Sequence, residues 1–195
     1  MEVRREEERD RDAVRAVHLA AFGEGDHARV VADLVDDLRA TGGTFLVADD
    51  AGEIVGHVMF TTSLLDAPKR LVEVQVLSPV GVLPAAQGRG VGSAMIRRGL
   101  KLLGERAVPL VFLEGAPGYY SRFGFEAGRE LGFRKPSLRI PDAAFQVFRL
   151  PAYEPWMTGT LVYSEVFWRH DAVGLREPDP RLGRPPPAPS AGDER

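Results

Sequence analysis

Apolar positions recur at two spacings along this chain, and the switches between them mark out helices and strands. Val14, Val17, His18 and Ala21 follow Asp10 and Asp12 at i, i+3, i+4 and i+7, one stripe of a helix entered through an acidic residue. A second stripe of Val30, Val31, Leu34, Val35 and Leu38 predicts a helix over 28–40 that stops at Gly42-Gly43, where a backbone with positive φ closes a C-terminus. Both stripes face a core. The period then drops to two: 44–48 and 53–62 are rich in β-formers and flank Asp49-Asp50-Ala51-Gly52, so they predict a hairpin. In the next segment, 71–82, Val72, Val74 and Val76 alternate with Glu73 and Gln75, and Pro79 interrupts the ladder, which marks an edge, a bulge or a place where pairing is given up.

A helical period returns after Gly88-Arg89-Gly90-Val91-Gly92. Val91, Met95, Ile96, Leu100, Leu102 and Leu103 share one half-cylinder, and Ser93, Arg97, Arg98 and Lys101 take the other. A short buried strand (110–113), a turn or short helix (119–123) and later β segments (145–150 and 160–168) complete an order of β-α-α-β-β-β-α-β-α-β-β. Residues 177–195 hold six of the fifteen prolines, including Pro185-Pro186-Pro187, and carry too little apolar surface to offset ordering entropy. The expected organisation is one domain over 1–176 and a flexible Pro-rich tail over 177–195.

Composition narrows the chemistry. The 195 residues, 44% hydrophobic and 27% charged, suffice for one hydrophobic core. Twenty-five basic against 28 acidic side chains leave a formal charge of −3, so nothing concentrates a nucleic-acid backbone against the surface and no nucleic-acid partner is expected. The chain has no cysteine, which removes disulfides, thiolate metal sites and an acyl-cysteine intermediate together. The charged N-terminus and the lack of a long apolar run predict a cytoplasmic protein with no membrane partner. The mixed charges of 4–12 read as a solvated strand end and helix entry. His18, His27, His57 and His170 show no paired ligand spacing, so no metal is expected.

The glycine run lies between a strand and a helix, where backbone amides converge on an anion at the positive helix end. It is not a Walker loop, because no Lys-Ser or Lys-Thr follows. Nor is it a dinucleotide fingerprint: counting six from Gly88 reaches Ser93, and from Gly90 it reaches Met95, so the third glycine is missing. What remains is Q-x-x-G-x-G, formed by Gln87, Gly90 and Gly92, opening the helix.

The run V-G-V-L-P-A-A-Q-G-R-G-V-G-S before an amphipathic helix resembles the acyl-coenzyme A signature of the GNAT superfamily of N-acetyltransferases. Tyr119-Tyr120-Ser121-Arg122-Phe123-Gly124-Phe125 resembles the superfamily's later aromatic-Tyr-x-x-x-Gly-Phe motif, most like its YhbS-like branch. The resemblance implies a mixed α/β domain with a central twisted sheet, splayed at the cofactor site and flanked by helices. It implies acetyl-coenzyme A as acyl donor, with its pyrophosphate held by Gly88, Gly90, Gly92 and Ser93 and by Arg89 at the rim. Its pantetheine arm would pair with Val80 and Val82 on the strand before the signature, where the Val82 N–H would polarise the thioester carbonyl. Tyr120 matches the tyrosine placed near the thioester sulfur as acid or hydrogen-bond donor, and Tyr119 is read as packing. The glutamate that some members carry six residues before the position of Val82 is here Val76, so Glu114 and Glu73 are the candidate bases. The expected activity is direct acetyl transfer in a ternary complex to a primary amine of a small molecule or peptide. The alternative is a non-catalytic acyl-coenzyme A binding or sensing module, motivated by Val76. A second copy of the chain is left open as a partner through the β-rich segment 160–168.

Overall fold

A computed structural model describes residues 1–23 and 25–176; the expected tail over 177–195 lies outside the described residues. In chain order the elements are β1 (Glu2–Arg5), α1 (Arg11–Ala21), α2 (Asp26–Leu38), β2 (Gly43–Asp50), β3 (Glu53–Asp66), β4 (Leu71–Val82), α3 (Val91–Glu105), β5 (Leu110–Glu114), α4 (Pro117–Tyr120), β6 (Glu126–Ala127), β7 (Phe133–Arg134), β8 (Phe145–Arg149), β9 (Gly159–Val162) and α5 (Glu165–Arg169). The strands form one mixed sheet in the order β1-β2-β3-β4-β5-β8-β6, with β9 pairing both the far end of β3 and β7. All neighbours are antiparallel except β4 with β5 and β7 with β9.

Helices cover both faces, as strands buried on two sides require. Val14 and Val17 of α1 and Leu34, Val35 and Leu38 of α2 join Val72, Val74, Val76 and Phe112 in one core layer. Val91, Met95, Ile96, Leu100 and Leu103 of α3 join Leu46, Val58, Phe60, Leu77 and Val111 in the other. Gly99 permits this second seat, since a Cβ there would overlap the buried Phe60 ring.

Pro79 lies in a bulge. Val58 and Phe60 of β3 face Val80 and Leu77 of β4, so β4 carries one extra residue across this stretch. The extra residue swaps the strand's parity. Val72, Val74 and Val76 look toward α1 and α2, whereas beyond the bulge Val80 and Val82 pack on the α3 side and Gly81 meets α1.

Three expectations need correction, and two short strands are new. Val30 is 40% exposed, because the buried stripe of α2 runs through Ala28, Val31, Leu34, Val35 and Leu38. The segment 160–168 is a strand only to Val162; the Ser164 side chain then accepts from the Val166 N–H and caps α5, which overrides the β-forming composition. The charged run near the N-terminus is not simply solvated: Arg4 is clasped by Asp10 at 2.7 Å and Asp49 at 3.1 Å, and buried Glu6 pairs with Arg39 at 2.6 Å. Two-residue strands β6 and β7 are too short to leave an alternation in the sequence. No helix among the described residues is long and apolar enough to cross a membrane.

Candidate active site

β4 and β5 pair only at Gln75 with Val111 and Val76 with Phe112. Beyond these rungs β4 stays with β3 through Val82 and β5 stays with β8 through Glu114, so the two strands part and leave the β4 edge from Leu77 to Val82 without a neighbour among the described residues. Main-chain donors and acceptors on such an edge seek an extended partner.

At the open end of β4 the chain passes through a short 3-10 turn into α3. The Gln87 amide donates to the Val82 carbonyl at 3.1 Å and ties the turn to the strand. Gly90, with φ +82°, is the N-terminal cap of α3, a left-handed conformation that a side chain would strain. The Ala94 N–H is the first to bond back, to the Gly90 carbonyl at 2.9 Å, so the amides of Val91, Gly92 and Ser93 ahead of it have no helical acceptor. They edge a cavity of about 360 Å³ lined by Val80, Val82, Gln87, Gly88, Gly90, Gly92 and Ser93 together with Tyr119 and Arg122. Side-chain-free glycines, orphan amides and a cation give this cavity the chemistry to take an anion.

Arg89 stands at the rim, 63% exposed and 3.5 Å from Asp50, and is not among the residues lining the cavity. Tyr119 and Arg122 are residues that sequence reasoning missed. The Tyr119 hydroxyl lies 3.1 Å from where a Gly92 Cβ would sit, and the Arg122 guanidinium stacks on the Tyr119 ring at 3.9 Å. Their spacing of three along a helical turn, with an aromatic and a cation on one face, was the available signal. A larger cleft of about 720 Å³ lies elsewhere, beside Arg4, Asp10 and Asp49, but those charges are spent on one another.

Across the opening, Glu114 ends β5 and Tyr120 ends α4, with the Tyr120 ring laid over Gly115, where any Cβ would overlap it. Burial, and then the neighbouring Tyr119, push the Tyr120 hydroxyl up to about 12, so it keeps its proton. Glu114 is likewise pushed up by burial, against the pull of two donors: the Tyr163 hydroxyl at 2.8 Å and the Gly174 N–H at 3.1 Å. Glu73 is not brought to this place. It is an exposed residue near the start of β4, and the rungs that join β4 to β5 lie between it and the opening.

Behind the open edge is a buried imidazole pair. His18 Nε2 and His57 Nδ1 lie 2.8 Å apart, both side chains are inaccessible, and His57 Nε2 is 3.4 Å from a Glu6 carboxylate oxygen. His18 Nδ1 abuts Gly81, which is directly opposite His57 in the β3–β4 ladder. Burial first, then the charge on His57, holds the His18 imidazole down at about 3, and burial also lowers His57.

The family model for the acetyltransferase (GNAT) domain matches residues 2–128, well over half of the chain and all of the cradle. The chain belongs to the GNAT acetyltransferase family. An uncharacterized N-acetyltransferase of Escherichia coli, YjhQ, is 35% identical over 77% of this chain and 84% of its own. Among solved structures, the GNAT family N-acetyltransferase YhbS of E. coli, in complex with CoA, superposes with a TM-score of 0.76 at 30% identity, covering 86% of this chain and 92% of that one. A GNAT family acetyltransferase from Brucella melitensis, in complex with acetyl-CoA, superposes at 0.68 with 31% identity over 85% and 97%. The parted β4 and β5 of this GNAT fold are the resemblance-based splay seen directly.

Proposed function

We propose that this GNAT protein transfers the acetyl group of acetyl-coenzyme A directly to a primary amine in a ternary complex. The observation that carries this is the juxtaposition, at one opening in the sheet, of an unpaired β4 edge and an amide-lined cradle, with a carboxylate, Glu114, at the end of β5 and a proton-keeping tyrosine on the turn that follows it. Acetyl-coenzyme A supplies an activated thioester. Gly88, Gly90, Gly92 and Ser93 hold its pyrophosphate through backbone N–H groups, with Arg122 beside them and Arg89 at the rim. The Val80 and Val82 main chain pairs with the pantetheine amides, and the Val82 N–H offsets negative charge developing on the thioester oxygen.

An alkylammonium acceptor gives one proton to Glu114, which frees the nitrogen lone pair. The nitrogen–carbon bond forms as the carbon–sulfur bond breaks. The thiolate takes the Tyr120 proton, and the second proton leaving the nitrogen, now an amide, restores the tyrosine. A base is needed because an alkylammonium with the lysine value of about 10.4 is almost wholly protonated at neutral pH.

The test is release of coenzyme A thiol from acetyl-coenzyme A in the presence of pooled primary amines, read with a thiol reagent to which the cysteine-free protein adds no signal. Amine-dependent release carries the reading. Tight acetyl-coenzyme A binding with no release from small-molecule or peptide amines favours instead the non-catalytic binding module, for which the observation is Val76 at the position where some relatives carry a carboxylate.

A further inference from the structure

Both groups that hold Glu114 come from beyond residue 128, where the match to the family domain ends. Tyr163 follows β9 directly, is 5% exposed, and its ring packs on Phe167 of α5 with centroids 5.0 Å apart. Its hydroxyl donates to Oε1 of Glu114 at 2.8 Å. Oε2 accepts from the Gly174 N–H at 3.1 Å, a donor delivered by a glycine that must stay a glycine: a Cβ there would strike the Arg139 backbone at 2.6 Å. The two donors occupy one lone pair on each carboxylate oxygen and leave the other free. Two donors on a half-buried carboxylate stabilise its charged form and fix its rotamer.

We propose that Tyr163 is a positioning residue for Glu114: its hydroxyl, with the Gly174 amide, keeps this carboxylate ionised and oriented at the mouth of the β4–β5 opening, so that the C-terminal segment 159–174 is part of the active site. The inference rests on Glu114 acting as the base. Arg139 also favours its charged form and is itself 3.4 Å from Asp171, while the Gln146 amide donates to the Gly115 carbonyl at 3.0 Å and supports the residue that follows. Burial and the adjacent Glu114 charge raise the Tyr163 hydroxyl well above the usual tyrosine range, so it keeps the proton that it donates to Glu114.

The experiment uses the full chain with 13C-labelled glutamate. The Glu114 carboxyl resonance, assigned by its loss in Glu114→Gln, is titrated in the wild type and in Tyr163→Phe, which keeps the ring against Phe167. Removal of a hydrogen bond to a charged acceptor should raise the Glu114 midpoint by about one to two pH units. With the most active amine of the pool, the acidic limb of kcat/KM should move up by the same amount, while the acetyl-coenzyme A Kd, measured by calorimetry, stays within twofold. An unmoved midpoint overturns the positioning role whatever the activity. A midpoint that moves without the acidic limb overturns Glu114 as the base and leaves the tyrosine merely structural. If every amine is inert, the transferase reading fails, and with it the catalytic part of this inference, while the titration still decides the contact.

Discussion

The His18–His57 pair makes acid stability a sharp test of the structure. In the unfolded chain an imidazole takes up its proton as pH falls through about 6.5, whereas in the fold His18 stays neutral down to about 3. Between those values the unfolded chain binds the extra proton, so stability falls as pH falls, by about 1.4 kcal/mol per pH unit for one such group. From pH 7.5 to pH 5.0 His18 alone then costs roughly 2 kcal/mol of unfolding free energy, and His57, lowered by the same burial, adds to it. Against a typical domain stability of about 5–15 kcal/mol that is a large loss. The lowered carboxyls of Glu6 and Asp10 act in the same direction only at more acid pH, and Glu114, raised in the fold, acts in the opposite direction. Urea unfolding at pH 7.5, 6.0 and 5.0, repeated in the Glu114→Gln background, reads the slope. His18→Phe, which keeps a ring beside Phe22, should be less stable at pH 7.5 because His57 Nδ1 loses its partner, yet should show a clearly shallower slope. A wild-type stability constant to within about 0.5 kcal/mol over this range would refute the burial of neutral imidazoles.

Three further outcomes follow from named contacts. Gly92→Leu places a side chain in the cradle against Tyr119 and Val82; calorimetry should show acetyl-coenzyme A affinity reduced at least about 100-fold with thermal stability unchanged or raised, since leucine favours a helix over glycine. Tyr120→Phe should lower kcat by about 10- to 100-fold with an unchanged acetyl-coenzyme A Kd, and a wild-type rate across pH would remove its role as acid. Gly99→Ala should destabilise by about 1–3 kcal/mol through overlap with Phe60, whereas Gly104→Ala on the same helix, with only ordinary contact to Leu150, should stabilise by up to about 1 kcal/mol; denaturant midpoints that order the two the other way would contradict the α3 packing.

The glycine turn that opens α3 was legible in the sequence because its conformation is local. A helix N-terminus with orphan amides needs only a contiguous stretch, Gln87 to Ser93, with glycine where φ is positive and where a ligand approaches. The helices and long strands were legible for the same reason, since their burial follows a period of a few residues. The surroundings of the candidate bases were not. Glu114 and Glu73 are both carboxylates flanking apolar strands, and only the rungs at Gln75 and Val76 leave one at the opening and the other on the far side. The partners of Glu114 are 49 and 60 residues away, and His18 meets His57 across 39, distances at which no local pattern survives. Tyr119 and Tyr120 are adjacent in the chain, yet the turn directs the first into the cradle and lays the second over Gly115. By itself the sequence determined the long helices and strands, the glycine turn that opens α3 and the candidates for proton transfer, because backbone conformation and period are short-range properties. Tertiary structure decided which candidates share a site and which protonation state each one holds, because burial and hydrogen-bond partners come from segments that meet only in the folded chain.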